Sequence, residues 1–181
     1  MALLNTAKAV YAGPTAAKKI YRGNSVVWTS VPPMSVFYGS SVWINDLTPV
    51  TNLYGAPNDV VACKTNYGDI RTIIRFNFAA IPANSIIDRV IFGARFRISG
   101  PSQTTLVAMA QENVTTGDSK SIASPSASLT DYEFTSSKSW TLAQLLSTYT
   151  DVRVSTNGPG PEPNMCTLCV DAAWVKVAHH L

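Results

Sequence analysis

Arg89-Val90-Ile91-Phe92-Gly93-Ala94-Arg95-Phe96-Arg97-Ile98 is the stretch that decides the fold class. Val90, Phe92, Ala94, Phe96 and Ile98 occupy every second position. Arg89, Gly93, Arg95 and Arg97 fall between them, with Ile91 the one exception. Successive side chains of a strand point to opposite faces, so this period of two describes a half-buried antiparallel strand with one apolar face. Ile70–Phe78 reads the same way: Thr72, Ile74, Phe76 and Phe78 point to one side, and Arg71, Ile73, Arg75 and Asn77 to the other. Ala79-Ala80-Ile81-Pro82-Ala83-Asn84-Ser85 is the turn that separates the two strands.

Working outward, short β-branched and aromatic runs continue to alternate with turn clusters. Ser35–Trp43 reads as a strand or hairpin, and Leu106–Ala110, Tyr132–Thr135, Val152–Ser155 and Thr167–Ala178 as further strands. The Ser/Thr-rich stretch Thr115–Ser128 reads as an exposed loop. Asn157-Gly158-Pro159-Gly160-Pro161-Glu162-Pro163-Asn164 reads as a protruding one, because prolines at alternating positions forbid a ladder. Leu142, Leu145 and Leu146 stand at helical spacing behind Thr141 or Ser139 as a cap, which predicts one short helix. The expected fold is all-β: an antiparallel, jelly-roll-like β-sandwich with one short helix and an N-terminal β-hairpin repeat arm.

The arm is read from a ten-residue repeat. Lys8-Ala9-Val10-Tyr11-Ala12-Gly13-Pro14-Thr15-Ala16-Ala17 aligns with Lys18-Lys19-Ile20-Tyr21-Arg22-Gly23-Asn24-Ser25-Val26-Val27, and Trp28 closes the second copy. In each decad a β-favouring pair, Val10-Tyr11 or Ile20-Tyr21, leads into a glycine-centred turn and a short returning strand. So short a repeat cannot build a core, so its apolar residues need a surface to bury against. Residues 1–30 are read as a docking arm, 31–34 (with Pro32 and Pro33) as a linker, and 35–181 as the sandwich. The candidate assembly residues are Lys8, Val10, Tyr11, Lys18, Lys19, Ile20, Tyr21, Arg22, Val26 and Trp28.

Charge separates arm from body. The chain carries a net +3. Lys8, Lys18, Lys19 and Arg22 face no acidic residue within residues 1–30, whereas the remaining ten Lys/Arg are balanced by eleven Asp/Glu. A basic arm suits docking on an acidic surface, and a few lysines also simply keep an exposed ribbon soluble. The net charge is too small to argue for nucleic acid. No apolar run reaches the length of a membrane span, and Met1-Ala2-Leu3-Leu4-Asn5 lacks the basic start of a secretory signal. Three cysteines, Cys63, Cys166 and Cys169, give no even-numbered disulfide framework, consistent with a reducing compartment.

Cys166-Thr167-Leu168-Cys169 with His179 and His180 invites a zinc reading, but residues three apart on a strand point to opposite faces, which favours buried structural cysteines. Histidine occurs only at positions 179 and 180, at a terminus expected to fray, so no nucleophile–histidine arrangement assembles. Asp131 and Glu133 share a strand face and could form a glycosidase-like pair, though neighbouring carboxylates on an exposed strand are ordinarily just solvated. Asp171, inside an apolar strand, is expected to bind a loop backbone. No glycine-rich phosphate loop is present, and Asn113-Val114-Thr115 matches a glycosylation pattern that a non-secreted chain would not use. Arg71, Arg75, Arg89, Arg95 and Arg97 could form a partner-binding face for phosphate, glycan or an acidic chain. The plainer reading is a solvated face in which arginine stems cover the sheet. The chain is expected to be non-enzymatic, with no cofactor and no metal.

Two regions carry a resemblance. Lys19-Ile20-Tyr21-Arg22-Gly23-Asn24-Ser25-Val26-Val27-Trp28 resembles a short repeat, K-[VI]-Y-x-G-x-[ST]-x-V-W, of tailed-bacteriophage virion proteins, especially minor tail proteins of phages infecting actinobacteria. The body is similar to a phage β-sandwich pattern in three places. Arg75-Phe76-Asn77-Phe78-Ala79-Ala80-Ile81-Pro82-Ala83-Asn84-Ser85-Ile86-Ile87-Asp88-Arg89-Val90 resembles its "strand, Ile-Pro-Ala, strand" corner. Trp140-Thr141-Leu142-Ala143-Gln144-Leu145-Leu146 followed by Asp151-Val152-Arg153-Val154 resembles its "helix, then V-R-V strand", and Cys169–Val177 its closing strand. The chain departs from that pattern at Ala173, where a branched residue is usual, and in the proline-rich insertion before Met165.

The resemblance implies a structural component of a phage particle, in the tail or tail tip or decorating the capsid. Its partners would be other virion proteins (tail or major capsid protein), it would form a homo-oligomer with a trimer favoured, and its location would be the virion after synthesis in the host cytoplasm. No nucleic-acid contact and no membrane insertion are expected. The alternative is a carbohydrate-binding β-sandwich module for a host-surface glycan, with Tyr38, Trp43, Tyr54 and Tyr67 lining one patch.

Overall fold

A computed structural model describes residues 11–12, 15–16, 19–22, 25–29, 34–66, 69–100, 106–111, 118–122, 125–155 and 165–181. The chain divides into two units, Met1–Pro33 and Met34–Leu181.

The first unit holds two hairpins. Strand β1 (Tyr11–Ala12) pairs antiparallel with β2 (Thr15–Ala16), and β3 (Lys19–Arg22) with β4 (Ser25–Thr29). The register repeats with the sequence. Tyr11 faces Ala16 as Tyr21 faces Val26, and Ala12 faces Thr15 as Arg22 faces Ser25. The second hairpin runs further, to Ile20 opposite Trp28 and Lys19 opposite Thr29, across a register irregularity after Ile20.

The second unit is all-β and antiparallel, as its two alternating strands predict. Its elements are β5 (Met34–Asn45), a 3₁₀ turn (Val50–Leu53), β6 (Ala62–Asn66), β7 (Ile70–Phe76), β8 (Ile86–Ser99), β9 (Leu106–Gln111), β10 (Ser119–Ile122), β11 (Thr130–Thr135), helix α1 (Leu142–Leu146), β12 (Tyr149–Ser155) and β13 (Cys166–His180). Among the described residues these strands make one hydrogen-bonded sheet in the order β10-β9-β12-β7-β5-β13-β8-β11, with β6 also paired to β13.

Strand β5 joins the two halves of the sheet. Met34–Tyr38 pairs with β13, and from Gly39 onward the strand pairs with β7 through two register irregularities. Bulges of this kind bend and twist a strand. Gly39 is required at the handover, because a Cβ there would sit 2.6 Å from Ile74 Cγ2 and 2.9 Å from the Leu53 carbonyl oxygen. The sheet curls enough that both halves feed one core: Ile74, Val152 and Val154 from one, Phe92, Phe96, Val175 and Val177 from the other. The alternation read from β8 holds, since Val90, Phe92, Ala94, Phe96 and Ile98 are all buried. Aromatic contacts extend this core, with Phe96 stacked on Tyr132 at 4.4 Å and Phe92 on Phe134 at 5.5 Å.

The two end strands of the order, β10 and β11, are stitched by side chains. Lys120 Nζ donates to the Glu133 carbonyl at 2.9 Å. Just outside the strands, the Asp118 carboxylate accepts from Ser136 Oγ, Ser137 N and Ser137 Oγ. The lysine bond gives a partner to one backbone carbonyl of an end strand.

Three local expectations are corrected, and the expected short helix is found. The Thr115–Ser128 stretch contains strand β10, whose pairing to β9 supplies the backbone bonds that its polar side chains gave no hint of. His179 and His180 are not frayed: they extend β13 opposite Ile87 and Ile86, and His180 Nδ1 lies 2.8 Å from Asp88. The cysteines do form a disulfide, Cys63–Cys169, because β6 runs beside β13 with those two residues directly opposite. The helix is a single capped turn, in which Thr141 and Gln144 form a reciprocal capping box; Leu145 is buried but Leu146 is exposed. The proline-rich stretch 157–164 and Asn113-Val114-Thr115 lie outside the described residues. No helix among the described residues is long and apolar enough to cross a membrane.

Candidate functional site

A cross-strand row builds one outer surface feature of the body. Tyr38 on β5 faces Trp174 on β13, Trp174 faces Gly93 on β8, and Gly93 faces Glu133 on β11. All four belong to the outer face, opposite the alternating core residues. Gly93 interrupts the outward side chains of β8, and the Trp174 indole fills the gap: a Cβ on Gly93 would fall 2.2 Å from Trp174 Nε1. Lying across β8, the indole reaches the next strand and donates from Nε1 to Glu133 Oε1 at 2.6 Å.

The same Glu133 oxygen is 2.6 Å from Lys176 Nζ. One turn of the pleat away, Arg95 stands opposite Asp131 on β11, with the guanidinium 3.8 Å from that carboxylate. Arg95 also bonds Asp59 at 2.6 Å and lies 3.4 Å from the buried Asp171 carboxylate, an ion pair whose angle does not make a hydrogen bond.

Asp171 does what its setting in an apolar strand predicts. Its two oxygens accept the backbone N–H groups of Asn58 and Asp59 at 3.2 and 3.1 Å. Asp59 adopts a left-handed backbone with φ of 65°, a conformation that Asp tolerates better than most residues and that the two clamps hold in place. The loop between the 3₁₀ turn and β6, which carries Pro57, is thereby fastened to the sheet. Val36, Tyr38, Pro57, Asp131, Glu133, Trp174 and Lys176 line the resulting open cleft of about 180 Å³.

A second outer surface lies on the other half of the sheet. Trp43, 60 % exposed, carries the Arg75 guanidinium 4.9 Å from its ring centroid and meets Tyr149 edge-on at 6.3 Å. Arg71 forks onto Asp151, with Nε at 2.9 and 3.0 Å and Nη2 at 2.6 Å. The hydrogen bond to Asp151 raises the Arg71 pKa above its ordinary value, with burial opposing it. Arg153 pairs with Asp69 nearby.

The five arginines are therefore divided. Arg71 and Arg75 belong to β7, and Arg89, Arg95 and Arg97 to β8, with β5 and β13 between them in the strand order. Arg71 and Arg95 are held by carboxylates, Arg75 covers Trp43, and Arg89 Nη2 lies 3.4 Å from the Met34 sulfur. Arg97 is exposed. Of the arm residues, Lys8, Val10 and Lys18 lie outside the described residues, while Tyr11, Lys19, Ile20, Tyr21, Arg22, Val26 and Trp28 take up the strand positions given above. Of the aromatic patch, Tyr38 lines the cleft, Trp43 sits on the Arg75 surface, Tyr54 is exposed after the 3₁₀ turn, and Tyr67 is outside the described residues.

Asp131 and Glu133 do share a face, but each is engaged by a cation, and Glu133 by the indole as well. Cys166 packs in the core, where burial pushes its thiol pKa up, and Cys169 is committed to Cys63. Among the described residues no group of His, Cys, Asp and Glu is arranged to hold a metal. Trp174, Lys176 and Pro57 were not singled out from the sequence. The available signal was Gly93, a glycine interrupting a row of arginines, since a strand glycine often marks the close approach of another group. No protein-family model matches this chain, and no curated protein matches it.

Proposed function

We propose that this chain is a non-enzymatic structural protein of a tailed-bacteriophage virion, either a minor tail or tail-tip component or a capsid-surface decoration protein. In this reading residues 1–30 are a docking arm, 31–34 a linker, and the jelly-roll-like body is displayed outward. The partners are other virion proteins, tail or major capsid, and the chain assembles as a homo-oligomer, with a trimer favoured. The particle is its location.

The observation that carries the reading is the duplicated hairpin. The ten-residue repeat recurs in strand register as well as in sequence, Tyr11 with Ala16 and Tyr21 with Val26. An isolated two-stranded hairpin is marginal in water, so a pair of them is understood best as a modular element completed by a partner surface. The four basic residues of the arm, without an acidic one, suit an acidic partner.

Quantifying the chain in purified virions tests this. A few copies per particle mark a tail-tip protein and hundreds a decoration protein, and absence from purified particles refutes both. Deleting residues 1–30 is expected to leave a folded β-rich body that no longer enters particles or oligomerises; wild-type assembly of the truncated chain rejects the docking role. The saccharide-binding alternative concerns a different part of the chain, the outer cleft of the body.

A further inference from the structure

We infer that the cleft between Tyr38, Pro57, Asp131, Glu133, Trp174 and Lys176 binds one pyranose ring of a neutral saccharide. The inference goes beyond the virion reading and does not depend on it.

Three observations point to this ligand class. The first is size and shape: an open cleft of about 180 Å³ suits a single six-membered sugar ring rather than a peptide helix or a nucleic-acid strand. The second is the division of its lining. Tyr38, 37 % exposed, Val36 and Pro57 contribute apolar surface to it, and Asp131, Glu133 and Lys176 contribute polar atoms. A pyranose is divided in the same way, with C–H groups on its faces and hydroxyls around its rim, so Tyr38 provides a face to stack on.

The third observation concerns charge. Glu133 is paired with Lys176, and Asp131 stands 3.8 Å from Arg95, which Asp59 and Asp171 share, so each lining carboxylate already has a cation beside it. Hydrogen-bonding capacity nevertheless remains. An ionised carboxylate offers about four acceptor positions and an ammonium about three donors, more than these pairs consume. Hydroxyl groups, which donate and accept at once, fit such a site, whereas a phosphate would be repelled by carboxylates that outnumber the two cations. The indole bond to Glu133 and the clamp of the Pro57 loop through Asp171 hold the lining in place before any ligand arrives, which lowers the cost of binding.

The full chain can be titrated with the methyl glycosides of glucose, galactose, mannose and N-acetylglucosamine while the Trp174 indole N–H resonance is followed by NMR. At least one glycoside is expected to shift it saturably, with a Kd on the order of 1 mM, as befits a single ring. Tyr38→Ala should weaken that binding about tenfold or more, Tyr38→Phe should retain it, and Trp43→Ala, on the other outer surface, should leave it unchanged. Tyr38 is exposed, so its truncation leaves the core intact. The inference is overturned if no neutral glycoside produces a saturable shift, if only a charged sugar such as glucuronate or glucosamine does, or if Tyr38→Ala binds like the parent chain. Because the isolated chain is used, failure here leaves the particle experiment untouched, and absence from particles would leave this one untouched.

Discussion

Trp174 lies in the space that a side chain on Gly93 would occupy, 2.2 Å from where its Cβ would be, and uses that space to reach Glu133 on the neighbouring strand. A glycine in a strand ordinarily weakens it. Here the missing side chain lets one indole bridge three strands, from β13 across β8 to β11, and the bridge forms the floor of the cleft.

Replacing Gly93 with alanine should therefore displace the indole and break its bond to Glu133. The expected loss is about 1–3 kcal/mol, the range for forcing extra volume into a packed site. Chemical denaturation followed by tryptophan fluorescence measures it. A variant as stable as the parent would show that the indole moves aside freely.

Asp171→Ala should cost about 2–4 kcal/mol, because it leaves the Asn58 and Asp59 amides without their acceptor and removes a buried partner of Arg95. The damage should be local as well as global. Hydrogen exchange at the amides of Asn58 and Asp59 should accelerate beyond the general loss of stability. If those two amides slow or stay unchanged, the clamp is not what holds the loop.

Asp118 provides a pH dependence whose sign follows from its contacts. Burial alone would raise its pKa, but the hydrogen bonds from Ser136 and Ser137 and the nearby Lys138 charge outweigh burial and hold it below the usual carboxylate value. A group with a depressed folded pKa stabilises the fold above its unfolded pKa of about 4, and loses that contribution as pH falls through the lower folded value. Denaturation midpoints should thus fall as pH drops below about 4, and Asp118→Asn should flatten part of that slope. A variant with the parent's slope would assign the acid sensitivity to other carboxylates.

Oxidised protein should present no thiol to a thiol reagent while folded and one per chain, Cys166, when unfolded, since Cys63 and Cys169 are joined and Cys166 is 3 % exposed. The bridge spans a sequence separation of 106 residues. Closing so long a loop restricts the unfolded chain, so reduction should lower stability by about 3–5 kcal/mol. With Cys169 committed to sulfur rather than metal, chelators should leave the melting temperature where it was. Three reactive thiols in unfolded, unreduced protein would remove the bridge from this account.

Local chemistry decided what the sequence could determine by itself. The two-residue period of Val90, Phe92, Ala94, Phe96 and Ile98 names the buried face of β8 because side-chain direction along a strand depends only on the strand's own backbone. The paired hairpins follow from the ten-residue repeat, and the short helix from the leucine spacing behind Thr141 or Ser139, of which the structure uses Thr141. Asp171 was legible too, since a carboxylate in an apolar strand must find donors.

Neighbours across the sheet were decided by the tertiary structure alone. Backbone hydrogen bonds between strands are the same for every residue type, so a sequence states which way a side chain points but not which strand stands beside it. Cys63 meets Cys169, the arginines of β7 part from those of β8, and Tyr38, Trp174, Gly93 and Glu133 become one row, through pairings distant in the chain. The strand of β8 was visible from its alternation; the cleft that its one glycine makes possible exists only once β5, β13 and β11 are laid against it.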